Sequence, residues 1–112
     1  MNRLVPAVDE LIDGFVDEAG VDFIPLPLLA VAAWQSLGAR NSDEARAKTL
    51  ELVCLLYERG LRPGDYDLGI TLDYWPDRGC QAALNRIERE WLAAGQDPNL
   101  GEPICWFGLP EK

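Results

Sequence analysis

The chain reads as one mainly α-helical domain, about four helices packed together, with a short two-stranded β element near its C-terminal half. Three observations carry that reading. Apolar residues recur at helical spacing in four separate stretches. Period-two alternation appears around residues 66–74, and one other strand-like run, at 104–109, is apolar, aromatic and bounded by prolines. At 112 residues, 48% hydrophobic and 26% charged, the chain can bury one modest core but not two, so residues 1–112 are taken as a single domain.

The first helix is expected over residues 3–19, where Leu4, Val8, Leu11, Ile12, Phe15, Val16 and Ala19 share a face. Asp9, Asp13 and Asp17 form an i, i+4, i+8 stripe on another side. Like charges at this spacing cost roughly 0.2–0.5 kcal/mol per pair, which a solvated face tolerates, so the stripe fits either simple solvation or a binding role. Pro25-Leu26-Pro27 suits the opening turn of a second helix over 25–38. That helix is apolar almost all round and is expected to be buried on most sides, Trp34 included. The third has the clearest boundaries, with Asn41 as cap, Glu44 as capping-box partner and Gly60 closing it behind Arg59. Its face of Ala45, Thr49, Leu52, Val53, Leu56 and Tyr57 makes it the expected spine of the core. Residues 62–65 read as a turn from Pro63 and Gly64. A fourth helix is expected over 77–94, with Cys80, Leu84, Ile87 and Trp91 inward, followed by a loop over 95–103 and the terminal strand.

Charge and residue type narrow the function. Nineteen acids against ten bases give a net charge of −9. Such a field repels nucleic acid and anionic membrane surfaces and attracts basic proteins. Histidine is absent, which removes the commonest general base and zinc ligand. Cys54, Cys80 and Cys105 lie far apart without a C-x-x-C pair, and read as buried thiols in a reducing compartment. The beginning of the chain lacks the features of a secretory signal, and the apolar run 23–34 is too short to span a bilayer, so a cytoplasmic location is expected. No phosphate loop, dinucleotide fingerprint or zinc motif is found. The expectation is a non-enzyme without cofactor or metal.

What remains is interaction, and residues 65–77 are its focus. Tyr66, Leu68, Ile70, Leu72 and Tyr74 fall on even positions, and Asp65, Asp67, Thr71, Asp73, Trp75 and Asp77 on odd ones. This is the pattern of a half-buried strand whose even face packs on the helices and whose odd face shows acids to a partner. Gly69 marks a bulge or close approach. The calcium-loop reading of Asp65-x-Asp67 fails, because Gly69, Ile70 and Pro76 stand where a ligand, a glycine and a glutamate are needed. A looser carboxylate site of Asp65, Asp67 and Asp73 is the weaker reading. The partner-binding candidates are therefore Asp65, Asp67, Asp73, Trp75 and Asp77, with Asp9, Asp13 and Asp17 as a second surface. Trp75 is the candidate anchor, with a core role as its competing reading.

Glu58-Arg59-Gly60-Leu61, Arg86-Ile87-Glu88-Arg89-Glu90-Trp91 and Gly101-Glu102-Pro103-Ile104-Cys105-Trp106-Phe107 together give residues 50–109 a texture that resembles small bacterial immunity proteins. These accompany polymorphic toxins of contact-dependent inhibition, Rhs or type VI systems. The resemblance implies a cytosolic, non-catalytic protein that occludes the active site of a cognate toxin domain, often a nuclease with a basic cleft. No functional residue is carried over from it. An acidic secretion chaperone is the alternative, and a carboxylate- or metal-dependent enzyme a more distant one.

Overall fold

A helix with well-defined caps runs through the middle of the molecule. The computed structural model describes the backbone of residues 4–67 and 71–110 and the side chains of residues 8–66 and 71–110. In chain order the elements are α1 (Leu4–Ala19), β1 (Ile24–Pro25), α2 (Leu26–Gln35), α3 (Ser42–Glu58), β2 (Arg62–Asp67), β3 (Thr71–Tyr74), α4 (Cys80–Ala94) and β4 (Trp106–Gly108). The class is mainly α with a small sheet. The central helix is α3, against which α1, α2 and α4 all pack.

The start of α3 follows from Asn41, whose Oδ1 accepts the Glu44 amide at 2.9 Å. Glu44 does not close a capping box on Asn41; its carboxylate accepts the Arg40 amide at 2.9 Å and pairs with the Arg40 guanidinium at 2.9 Å. The predicted inward face is found, with Ala45, Thr49, Leu52, Val53 and Leu56 buried. Thr49 is accommodated because its hydroxyl donates to the Ala45 carbonyl at 2.6 Å. Helix α2 differs from expectation. Leu28, Val31 and Trp34 form an exposed stripe, Trp34 at 39%. The helix packs on α3 and β1, which leaves its other side open. Trp34 is thus not core; its Nε1 donates to Asp97 at 3.0 Å, while Trp91, buried as expected, donates to the other oxygen of the same carboxylate at 3.3 Å.

The β element is larger than the two strands predicted. Four strands form one antiparallel sheet in the order β1-β4-β2-β3. Residues 62–65, read as a turn, open β2 instead. Pro63 is tolerated there because a strand residue directs its C=O and N–H to the same side. Its carbonyl accepts the Trp75 amide at 3.0 Å, past the last residue of β3, so the missing donor falls where the β2–β3 ladder has ended. The segment predicted as one strand over 66–74 is the end of β2 and all of β3. Leu68, Gly69 and Ile70 lie outside the described residues, and so does the Asp67 side chain. Helix α4 starts at Cys80 rather than 77, after Gly79 at φ 96°, a conformation suited to glycine.

Candidate functional site

Hairpin register decides which side chains meet. Gly64 pairs with Tyr74, Asp65 with Asp73, Tyr66 with Leu72 and Asp67 with Thr71. Even residues therefore oppose even and odd oppose odd, and the sidedness read from alternation survives the turn. What does not survive is the assignment of faces. Odd Trp75 joins the helical core, together with Phe107 and Ile24 of the neighbouring strands. Even Tyr66 instead stacks edge-on against Phe23 and Trp106, at centroid distances of 5.1 and 4.8 Å. A methyl on Gly108 would strike Tyr74, Phe23 and Leu72, which places these residues in the same cluster. The tyrosines are half-buried in this aromatic layer rather than in the main core.

Asp65 and Asp73 remain exposed, directly opposite one another. Neither carboxylate has an ion-pair or hydrogen-bond partner among the described residues. Like charges opposite across a ladder are unfavourable by roughly 0.2–1 kcal/mol, so this pair lowers the stability of the hairpin that carries it. Trp75, which alternation placed beside them on the exposed face, is 9% exposed. The strand has ended before it, and the Arg86 guanidinium lies 3.7 Å above its ring. Asp77 is exposed but engaged: it accepts from the Tyr57 hydroxyl, from Arg62 Nε at 3.0 Å and from the Gly79 amide at 3.2 Å. The Tyr57 hydrogen bond, followed by those from Gly79 and Arg62, holds its carboxyl below the usual range. Burial and then the Asp77 contact push the Tyr57 phenol up. On α1, Asp9, Asp13 and Asp17 are all exposed, and Asp13 pairs with Arg59 at 2.9 Å. Helix α1 packs on α3 and β1.

In sequence the bases are scattered, and residues 77–94, with three acids and three arginines, are the least negative part. The fold gathers four of the ten. Arg62 on β2, Arg78 before α4, and Arg86 and Arg89 on α4 line one cleft of about 350 Å³ with Trp75 in its wall. The available signal was the group Arg78, Arg86 and Arg89, just before and along one helix; Arg62 joins only through the fold. Cys54 and Cys80, distant in sequence, are both half-buried, and the Cys80 thiol is pushed up to about 11 by burial first and by Cys54 second. Cys105 is fully buried, and burial holds its thiol well above the ordinary value. Among the described residues no three His, Cys, Asp or Glu side chains converge as metal ligands, and no helix is long and apolar enough to cross a membrane. No protein-family model, curated protein or solved structure matches the chain.

Proposed function

We propose that this protein is a non-catalytic immunity protein, acting in the cytoplasm, that neutralises a cognate toxin domain by occluding a basic active-site cleft with the acidic edge of the β2–β3 hairpin. The observation that carries the reading is the opposed pair Asp65 and Asp73, exposed and without a cation among the described residues. A feature that weakens the fold is best accounted for by a contact outside it, and a cationic protein surface supplies one. Residues 63–77 contain no base, so nothing in that stretch competes with the partner's lysines and arginines for the acids. The half-buried aromatic layer of Tyr66 and Trp106 lies on the other face of the same strands and provides side chains of the kind that dominate interface energetics. The three free thiols suit a reducing compartment.

The test is co-expression with a basic toxin domain encoded beside this gene. The expected result is rescue of growth, a purified complex, and loss of association rate on Asp65→Lys with Asp73→Lys while circular dichroism stays unchanged. The reading fails if no adjacent product is toxic, or if double charge reversal leaves the complex unaffected. The exposed stripe of Leu28, Val31 and Trp34 on α2 favours a secretion chaperone as the second reading. A clean monomer on a sizing column would count against that.

A further inference from the structure

We propose that the cleft between β2, the β3–α4 connection and α4 is a binding site for the phosphate group of a small molecule. This stands apart from the partner-binding reading, since it concerns positive groups in a cleft rather than negative groups on an edge. Four guanidiniums line the cleft against one carboxylate, Asp77, in a chain whose acids outnumber its bases nineteen to ten. In such a chain, carboxylate partners for four arginines would be easy to supply.

The four arginines are not equally committed. Arg62 is fully used: its Nε pairs with Asp77, and Nη1 donates to the Tyr57 and Leu61 carbonyls at 2.9 and 2.8 Å. It forms wall rather than ligand. Arg86 gives its Nε to Glu90 at 2.9 Å and lies flat on Trp75, which leaves its terminal nitrogens on the cleft side of the pair unassigned. Arg78 and Arg89 have no ion-pair or hydrogen-bond partner among the described residues. Two unpaired guanidiniums match the charge of a phosphate monoester dianion, and their planar forks match its oxygens.

The surroundings add donors of a second kind. Helix α4 begins here with Gly79 as a cap that offers no side chain, and its first turn holds no acid. The Asp77 carboxylate stands just before this end and accepts the Gly79 amide at 3.2 Å, but the amides of the first turn have no side-chain cap. Ala82 and Ala83, which line the cleft, keep the approach to that end open. Trp75 forms part of the wall, 9% exposed, and supplies an optical report on the cleft rather than a donor, since its Nε1 is buried away from it. A volume of about 350 Å³ suits a small phosphate ester and lies within the range of ligand sites.

The experiment is titration of the whole chain with inorganic phosphate and with pyrophosphate, each at constant ionic strength, by calorimetry and by tryptophan fluorescence. Saturable binding is expected, tighter for pyrophosphate. Arg78→Gln and Arg89→Gln should each weaken it by about tenfold or more, while Arg40→Gln on the surface beside Glu44 should leave it unchanged. Because Arg78 and Arg89 have no partner among the described residues, both variants should melt as the parent does. Trp75→Phe should abolish the fluorescence change and keep the heat; if that variant does not fold, the two arginine variants decide alone. Absence of saturation up to about 10 mM, or equal weakening by Arg40→Gln and Arg89→Gln, would overturn the proposal.

Discussion

Gly64 offers a stringent test of the sheet. It lies between two strands, opposite Tyr74 on one side and Trp106 on the other. A methyl group on its Cα would stand 2.6 Å from the Asp73 carbonyl oxygen, 2.9 Å from the Tyr74 Cα and 3.0 Å from the Asp73 carbonyl carbon. All three are backbone atoms, so no side-chain rotation relieves the clash. Ordinary contact needs about 0.8 Å more room at the oxygen, and β2 and β3 must separate to give it. That movement strains the ladder and the Trp75 amide bond to Pro63, now 3.0 Å. Overpacking of this kind costs about 1–3 kcal/mol, and a weakened hydrogen bond adds about 1, so Gly64→Ala should destabilise by about 3 kcal/mol. Gly14 is the control. It lies inside α1 with nothing within 4 Å of the site of a Cβ, and Gly14→Ala should stabilise by about 0.8–1 kcal/mol. Thermal melts should then move in opposite directions, by about 12 °C down and about 4 °C up at roughly 4 °C per kcal/mol for this size. A Gly64→Ala protein that melts with the parent, or a Gly14→Ala protein that loses as much, would refute the packing described for the hairpin.

Two further outcomes follow from the charged and sulfur groups. Removing one acid of the opposed pair, as in Asp73→Asn, should raise stability by about 0.2–1 kcal/mol. Urea denaturation at low and high salt should show the gain shrinking as salt rises, and a loss of stability would contradict the exposed, unpaired geometry. The Cys80 thiol, pushed up to about 11, stays protonated below that pH, so stepwise alkylation should be slow at pH 8, where about 0.1% is thiolate, and should rise about tenfold per pH unit. Mass spectrometry of the Cys80 peptide showing a half-maximal rate near pH 8.5 would contradict it.

Local signals made most of the helical framework legible. The Asn41 cap, the Gly60 and Gly95 stops and the inward face of α3 are each written within a few residues, and each is found. Strand signals were weaker because β1 is two residues long and β4 three, too short to show periodicity. Pro63 and Gly64 looked like turn residues because their propensities are for turns; tertiary position overrode both, one by placing the absent amide beyond the ladder and the other by using the absent Cβ for a close approach. Alternation told correctly which hairpin residues share a face. It could not tell which face meets the helices, since apolar residues occur on both: Pro63 and Trp75 on one, Leu72 and the tyrosines on the other. Trp75 therefore moved from candidate anchor on the surface to core.

The same limit applies to charge. Asp65 and Asp73 were legible as acids on one side of a strand, but their direct opposition depends on the register of the turn. Of the arginines, Arg78, Arg86 and Arg89 were legible as a less negative stretch of sequence, and Arg62 was not linked to them. Their gathering depends on the β3–α4 connection, which brings Arg78 and α4 over β2. Taken together, these placements leave two groups of opposite sign on one β2–β3–α4 unit, a pair of acids without cations and a pair of arginines without anions among the described residues. Exposed pairing between such groups would have gained at most about 1 kcal/mol, so little stability is lost by keeping them apart. On the two proposals, separation would preserve selectivity: a cationic protein surface would be drawn to the hairpin and repelled by the cleft, and a phosphate the reverse.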